Sequence, residues 1–421
     1  MILQGLNTAL SRASTIDRAL AEAERNADFS APPGLAAPLL AGLLARRAAS
    51  GRPPALLAIA ATSREGSALR DALVPYLDDA EVLEFPAWET LPHERLSPSA
   101  ETVGRRLHAI RRMREWSESG SRHPLVVVAS VRAALQPVAD NLGDVAPIEL
   151  SRGARGHDLS GIARRLVDLA YARVDMVSRR GEFAVRGGIL DVFPPTADHP
   201  VRVEFFGDEV EELRAFSVAD QRSLPDRVER VELAPSRELL LTEPVRQRAR
   251  EMLHEFPAIS GMLEKIAEGI PVEGMESLAP ALVDRLVPVT TYLPAGAGVA
   301  VIAPERVASR AVSLAETNRE FLAAAWNAAT VSAVAPIDLE TGDFLTLREL
   351  RESALFSAPG EPDPGRVWWT FSSFDQGDAA EAVGETAGDA DAAYVRVAAA
   401  SVPSFQGNVE GAVSHVAERL G

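Results

Sequence analysis

Three short apolar runs, each bounded by residues that break regular structure, limit the possible folds more than any other feature. They read ALLAIA at 55–60, LVVVAS at 125–130 and GVAVIA at 298–303. Runs of this length without polar alternation are typical of strands covered on both faces, as in a parallel sheet between layers of helices. Helix-like segments lie before, between and after these runs, at 9–29, 35–49, 63–73 and 305–327. The sequence therefore predicts an α/β protein.

From about residue 150 onward, the middle of the chain has a different sequence pattern. Phe183 to Arg186 and Val201 to Phe206 look like short strands, and Gly-Gly and Pro-Pro pairs at 187–188 and 194–195 supply turns. This pattern predicts a smaller α+β domain inserted into a larger one. With 421 residues the chain is too long for one core. We expect the divisions 1–150, 151–237 and 238–400, with 401–421 as a linker or the start of a further domain.

Composition excludes several classes of site. The chain has no cysteine, so disulfides and thiolate chemistry are absent, and its seven histidines never fall four apart on a predicted helix. We therefore expect no metal site. No apolar run approaches the roughly 18 residues that a membrane span needs, and the N-terminus lacks a signal-like pattern. We expect a cytoplasmic protein with no membrane contact.

The charge balance is acidic overall and basic in one place. The net charge of −17 disfavours a surface that binds nucleic acid over its whole extent. Residues 151–187 nevertheless hold eight arginines against four acids: Arg152, Arg155, Arg164, Arg165, Arg173, Arg179, Arg180 and Arg186. Such a patch is either a solvated face with internal ion pairs or a protein interface, for which arginine is well suited.

Four segments resemble one protein family. They are 85–92 (FPAWETLP), 101–107 (ETVGRRL), 174–194 (VDMVSRRGEFAVRGGILDVFP) and 203–209 (VEFFGDE). The first two are similar to bacterial transcription-repair coupling factors, the Mfd family, and the last two to both Mfd and the repair helicase UvrB. The resemblance extends in order over roughly residues 20–320. It implies the N-terminal, UvrB-like region, a degenerate RecA- or helicase-like domain that is split by an inserted domain.

The resemblance also implies a role and a partner. In this family the inserted domain docks on UvrA, so we expect a non-catalytic module that recruits UvrA to stalled RNA polymerase for nucleotide excision repair. RNA polymerase and DNA would bind to domains beyond this chain, and the protein's own C-terminal region is expected as an autoinhibitory partner. By position the UvrA contacts are Arg173, Arg186 and Phe193, followed by Arg179 and Arg180. Ala184 replaces an arginine of UvrB, and Phe193 has core packing as its alternative role.

The nucleotide site of such a domain looks degenerate in both halves. A phosphate loop needs a second glycine, a lysine and a hydroxyl, none of which follows Gly34 in GLAAPLL, and Pro38 removes an amide donor. The later strand ends in IAPER, where Glu305 stands without an aspartate neighbour. We therefore expect no ATP hydrolysis by this chain and no cofactor. An active UvrB-type helicase subunit and a DNA-backbone-binding module stay as alternatives.

Overall fold

The computed structural model describes residues 12–92, 94–254, 256–329, 344–358, 361–374, 392–399 and 408–420. The helices are α1 Ser14–Ala21, α2 Ala36–Ala49, α3 Ser63–Leu73, α4 Ala100–Ser119, α5 Val131–Ala134, α6 Leu159–Asp168, α7 Glu243–Met252, α8 Ser260–Ala267, α9 Ala279–Leu282, α10 Pro304–Ala329, α11 Leu347–Leu355 and α12 Val409–Leu420. In these ranges no helix combines the length and apolar character needed to cross a membrane.

The strands fall into one large sheet, one smaller sheet and short ladders. They are β1 Ala27–Ser30, β2 Ala55–Ala60, β3 Glu81–Phe85, β4 Leu125–Ser130, β5 Val138–Ala139, β6 Ile148–Ser151, β7 Ala172–Arg173, β8 Glu182–Arg186, β9 Ile189–Val192, β10 Val201–Phe206, β11 Glu209–Phe216, β12 Ser223–Arg227, β13 Arg230–Leu233, β14 Leu286–Val287, β15 Gly298–Ile302, β16 Phe356–Ala358, β17 Glu361–Pro362, β18 Val367–Ser372 and β19 Ala393–Arg396.

The large sheet has seven strands in the order β19-β1-β18-β15-β2-β4-β3, and every neighbouring pair is parallel. It takes strands from 27–130 and from 298–396, on both sides of the arginine-rich stretch. All residues of β2 and β4 are buried. The structure confirms the α/β prediction and the bounds predicted for these two strands.

Helices cover both faces of the large sheet, which explains the continuous apolar runs. Successive side chains of a strand point to opposite faces. Leu57 and Ile59 of β2 therefore pack with α4, α5, α10 and α11. Leu56 and Ala58 pack on the other side, with α1, α2 and α3. A polar residue at any of these positions would lie in one of the two cores.

The predicted helix over 9–29 is wrong at its C-terminal end. Helix α1 ends at Ala21, and residues 27–30 form β1, which pairs with β18 on one side and β19 on the other. Residues 9–11 lie outside the described residues. The acidic stretch 375–391, for which a solvated loop is predicted from composition, also lies outside them.

The smaller sheet is a meander of six strands, β7 to β12, that are neighbours in chain order. All its pairs are antiparallel except β7 with β8. One face packs against α6 and the β6–β13 ladder. The opposite face, called the outer face below, carries a small cluster of Val177, Ala184, Phe193 and Phe216.

Residues 239–283 form a helical cluster with its own core. Its apolar side chains come from α7, α8 and α9 and the turns between them. Among the described residues this stretch adds no strand to either sheet, although β14 just after it pairs with β5. The proposal that 238–400 completes the larger domain therefore rests on β15, β18 and β19. The three boundaries between the four predicted segments stay predictions.

A buried polar network, called the junction network below, connects α4 with the chain segment that leaves the smaller domain. It consists of Phe85, Trp88, Arg106 and Glu238. Arg106 Nε lies 2.5 Å from Glu238 Oε1, and Trp88 Nε1 donates to the same oxygen over 2.9 Å. The Arg106 guanidinium also stacks over the Phe85 ring at 4.1 Å. Arg106 and Glu238 are 0% and 5% exposed, so the ion pair between them is buried.

Glu89, in the same segment, fixes the start of α4. Its carboxylate accepts hydrogen bonds from the Ser99 hydroxyl over 2.9 Å and the Thr102 hydroxyl over 2.5 Å. Ser99 in turn caps the helix by accepting from the Thr102 amide. Partial burial raises the pKa of Glu89, but the hydrogen bonds from Thr102 and Ser99 outweigh it and hold the pKa below its usual range. The segment that resembles the Mfd family thus has a structural role.

Candidate protein-interaction site

Three of the predicted arginines gather at one edge of the smaller sheet. Arg173 ends the edge strand β7 and pairs with Phe183 of β8, while Arg186 ends β8 itself. Arg179 lies in the loop 174–181 that connects the two strands. From strand spacing and rise, the Cα atoms of Arg173 and Arg186 are roughly 11 Å apart. We call Arg173, Arg179 and Arg186 the arginine edge.

The loop 174–181 is held in place by contacts at both ends. The Glu182 carboxylate accepts hydrogen bonds from the backbone amides of Ser178 and Arg179, at 2.8 and 2.9 Å. Val177 is fully buried in the outer-face cluster. The Arg186 guanidinium reaches across to donate to the backbone carbonyl of Asp175. The arginine edge is therefore presented on a fixed backbone.

The arginine edge carries charge that no carboxylate of the described residues neutralises. Arg173, Arg179 and Arg186 are exposed, and within the described ranges none of them has an ion pair with a carboxylate. Met176, 55% exposed, adds apolar surface beside them. Guanidinium groups next to an apolar side chain are typical of protein interfaces.

Other arginines of the basic stretch are already paired. Arg155 lies 2.8 Å from Glu209, Arg164 3.5 Å from Asp158 and Arg152 4.0 Å from Glu229. Arg165 donates to the carbonyl of Ala146. These four arginines fit the solvated, internally paired face that the sequence offers as one alternative. The other alternative, a protein interface, stays a prediction for the arginine edge.

Phe193 and Arg180 differ from the other predicted contacts because they face inward. Phe193 is 6% exposed and packs in the outer-face cluster. Arg180 stacks over the Phe193 ring at 5.2 Å and lies 4.0 Å from Glu101 of α4. In this structure Phe193 is a core residue, and Arg180 connects the smaller sheet with α4. Any influence of Phe193 on a partner would act through the packing of its neighbours.

The region of the predicted nucleotide site offers few amides to a phosphate group. Gly34 lies in the turn between β1 and α2, after two prolines that have no N–H. The Ala31 amide donates to the carbonyl of Ser372 over 2.9 Å, and the Leu35 amide donates to that of Pro32. Pro32 and Pro33 thus remove two further amide donors besides the one that Pro38 removes.

Glu305 lies in the first turn of α10, immediately after β15. Its carboxylate accepts from the Ser372 hydroxyl over 3.3 Å. The next residue, Arg306, forms an ion pair with Glu65. In the part of the chain that the structure describes, no three His, Asp or Glu side chains come together as metal ligands.

The smaller sheet lies in a region that is similar to a known protein family. Residues 148–239 match the model of the UvrB interaction domain. A transcription-repair-coupling factor of Mycobacterium tuberculosis is 46% identical over 364 residues, which cover 82% of this chain and 29% of that protein. The chain is homologous to the transcription-repair-coupling factors. It spans less than a third of the length of these relatives.

More distant coupling factors match shorter stretches. That of Myxococcus xanthus is 40% identical over 209 residues, which cover 47% of this chain and 17% of the relative. That of Escherichia coli is 29% identical over 239 residues, covering 54% and 20%. The region matched by the family model begins at the first residue of β6 and includes the arginine edge and Glu238.

Proposed function

We propose that this chain is the non-catalytic, UvrB-like part of a coupling factor, and that its 151–237 domain recruits UvrA to stalled RNA polymerase for nucleotide excision repair. The observation that carries the proposal is the arginine edge. Arg173, Arg179 and Arg186 present guanidinium groups on a fixed backbone, inside the region that matches the UvrB interaction domain, and no carboxylate of the described residues pairs with them. Planar guanidinium groups make bidentate bonds to carboxylates, so an acidic surface of UvrA is the partner they suit.

The larger body serves as a scaffold in this proposal. We propose that it is a degenerate RecA- or helicase-like domain that 151–237 interrupts, with boundaries near 150 and 238. The parallel sheet supports this, because its strands come from both sides of the insertion. The proline-rich turn at 32–33 and the hydroxyl-bonded Glu305 support a body that does not hydrolyse ATP and holds no cofactor. Translocation on DNA would belong to the whole protein.

The remaining partners concern the full-length protein. We propose that RNA polymerase and DNA bind to other parts of it, and that its own C-terminal region covers the arginine edge until UvrA is needed. An exposed cationic edge suits such masking because an acidic segment of the same protein could pair with the guanidinium groups that UvrA would otherwise contact. Residues 401–421 would begin a linker or a further domain.

The first prediction concerns UvrA binding by the isolated chain. Interfaces concentrate their energy in a few arginine and aromatic anchors, each worth about 2 kcal/mol or more when truncated. The double variant Arg173→Ala, Arg186→Ala should therefore bind purified UvrA more than about tenfold more weakly, mainly through faster dissociation. Surface-immobilised UvrA with the chain in solution gives both rates.

Arg152→Ala is the matched control, because Arg152 is an exposed arginine of the same domain that already faces Glu229. It should change the affinity less than about twofold. The melting temperature of each variant separates a lost contact from a damaged fold. Full-strength binding by a well-folded double variant would show that UvrA uses another face.

The second prediction separates the proposal from an active helicase subunit. Because the turn at 31–35 lacks the lysine, the hydroxyl and most amide donors of a phosphate loop, the chain should release no phosphate from ATP, with or without DNA. The same preparations measure DNA binding at several salt concentrations. Steady turnover that is abolished by Glu305→Gln would favour the helicase alternative, and a steep loss of DNA affinity with salt would favour the DNA-backbone module.

A further inference from the structure

Phe206 has the most exposed large hydrophobic side chain among the described residues, at 77% of its accessible surface. It ends β10 at the tight turn to β11, where Gly207 adopts a positive φ of 65°. A phenylalanine this exposed contributes little to the stability of its own domain, because its ring stays in water. Exposed aromatic rings on rigid elements are, in contrast, common anchors of protein interfaces.

The turn that carries Phe206 is fixed on several sides. The Phe205 amide donates to the carbonyl of Gly188 over 2.8 Å. The loop 153–157 lies along the turn, with the His157 amide donating to the Asp208 carbonyl and Arg155 pairing with Glu209. The ring is thus held outward by an ordered backbone. Because the segment is already ordered, it would lose little further conformational entropy when a partner binds.

Phe206 shares an end and a face of the smaller sheet with Arg186. Arg186 pairs with Ile189, and Ile189 pairs with Glu204, two residues before Phe206. The register of β10 with β11 shifts between Glu204 and Phe205, but Val203 and Phe205 both pack toward the inner core. Arg186, Glu204 and Phe206 therefore have their side chains on the outer face. Gly188 brings the β8–β9 and β10–β11 turns together, since a Cβ at that position would lie 2.9 Å from the Phe205 carbonyl oxygen.

Strand spacing places the Cα atoms of Arg186 and Phe206 roughly 12 Å apart. A standard interface buries about 800 Å² on each partner, which is wide enough to include both. We propose that Phe206 is an aromatic anchor of the UvrA-binding surface, inserted into an apolar socket of the partner whose rim carries a carboxylate facing Arg186. The inference rests on the proposed function and extends the arginine edge across the end of the sheet.

The surroundings of Phe206 favour a protein over nucleic acid as the occupant. Glu204, Asp208 and Glu209 lie in the same two strands and their turn. These carboxylates would repel a phosphate backbone at the distance needed for a base to stack on the ring. A mixed rim of acids and arginines around an aromatic centre is the arrangement found in protein interfaces.

The test compares two exposed phenylalanines in the intact chain. Phe206→Ala should weaken binding to purified UvrA by about tenfold or more, with faster dissociation and an unchanged melting temperature. Phe206→Leu should retain part of the affinity because it keeps apolar volume. Phe321→Ala is the matched control, because Phe321 is 55% exposed on α10, outside the smaller sheet. It should bind like the wild type.

The outcomes separate this inference from the proposed function. If Phe206→Ala binds as tightly as the wild type while the Arg173, Arg186 double variant is impaired, the inference is overturned and the proposed function stands. If the wild-type chain does not bind UvrA, both are overturned. Concentration-dependent dimerisation of the wild type that Phe206→Ala removes would identify a second copy as the occupant, which also overturns the inference.

Discussion

The junction network and the arginine edge use the same residue type under opposite conditions. Arg106 is completely buried, and Glu238, the Pro86 carbonyl and two aromatic rings surround it. Arg173 and Arg186 are exposed and face no carboxylate of the described chain. A buried guanidinium without a partner would be too costly to persist, whereas an exposed one remains available to a second protein. Composition alone shows only an arginine-rich chain, and burial separates the arginines that hold the fold together from those that remain available to a partner.

The largest effect is expected when the junction network is broken on one side. Arg106→Met leaves the Glu238 carboxylate buried, with Trp88 as its remaining donor among the described residues. Stranding one partner of a buried pair destabilises proteins by about 3–5 kcal/mol. In urea unfolding, the variant should have a lower midpoint concentration of urea. The dependence of its unfolding free energy on urea should be similar to that of the wild type if the unfolded state is unchanged.

A double variant checks that the stranded charge is the cause. Arg106→Met with Glu238→Gln removes both charges and keeps an oxygen that can accept from Trp88 Nε1. It should be clearly more stable than Arg106→Met alone. If the two variants unfold at the same urea concentration, packing around the guanidinium matters more than its charge.

A smaller effect is expected at Glu89, which lies nearer to water. Its lowered pKa means that the native state favours the charged carboxylate, so its contribution is present above the unfolded-state pKa, about 4.3, and is lost as the pH falls through the lower folded value. Because Glu89 is largely exposed, solvent screening limits the contribution to about 1 kcal/mol or less. Glu89→Gln should thus be less stable than the wild type at pH 7.

The pH profile carries the control for this prediction. The difference in unfolding free energy between wild type and Glu89→Gln should shrink below about pH 4 and disappear when the wild-type carboxyl is protonated. A difference that stays constant from pH 7 to pH 3 would mean that the hydrogen bonds matter and the charge does not.

Strands that are apolar throughout are predicted correctly from the sequence, whereas a strand that contains polar residues is missed. β2 and β4 have the predicted bounds because both faces of each are buried. β1 contains Asp28 and Ser30, so it resembles the end of the preceding helix. Its position is set by β18 and β19, which lie more than 300 residues later. No local pattern contains that information.

The candidate site is predictable in its location and only partly in its residues. Spacing and resemblance indicate Arg173, Arg179 and Arg186, which the structure brings to one edge. They cannot show that Phe193 turns inward, since a strand-end phenylalanine has the same sequence pattern in a core and at a surface. The sequence also does not single out Phe206. Its neighbour Phe205 packs toward the core, and the two differ only in the face of the sheet to which their side chains point.

The two edge strands of the smaller sheet affect the tendency of the protein to aggregate at high concentration. An open strand edge offers free backbone donors and acceptors to a second copy and is a common start of aggregation. Here one edge strand, β7, is two residues long and ends in the charged Arg173, while the other, β12, contains Pro225, which has no amide hydrogen to share. A domain with such edges can expose a binding surface at high cellular concentration without pairing its strands with those of other copies.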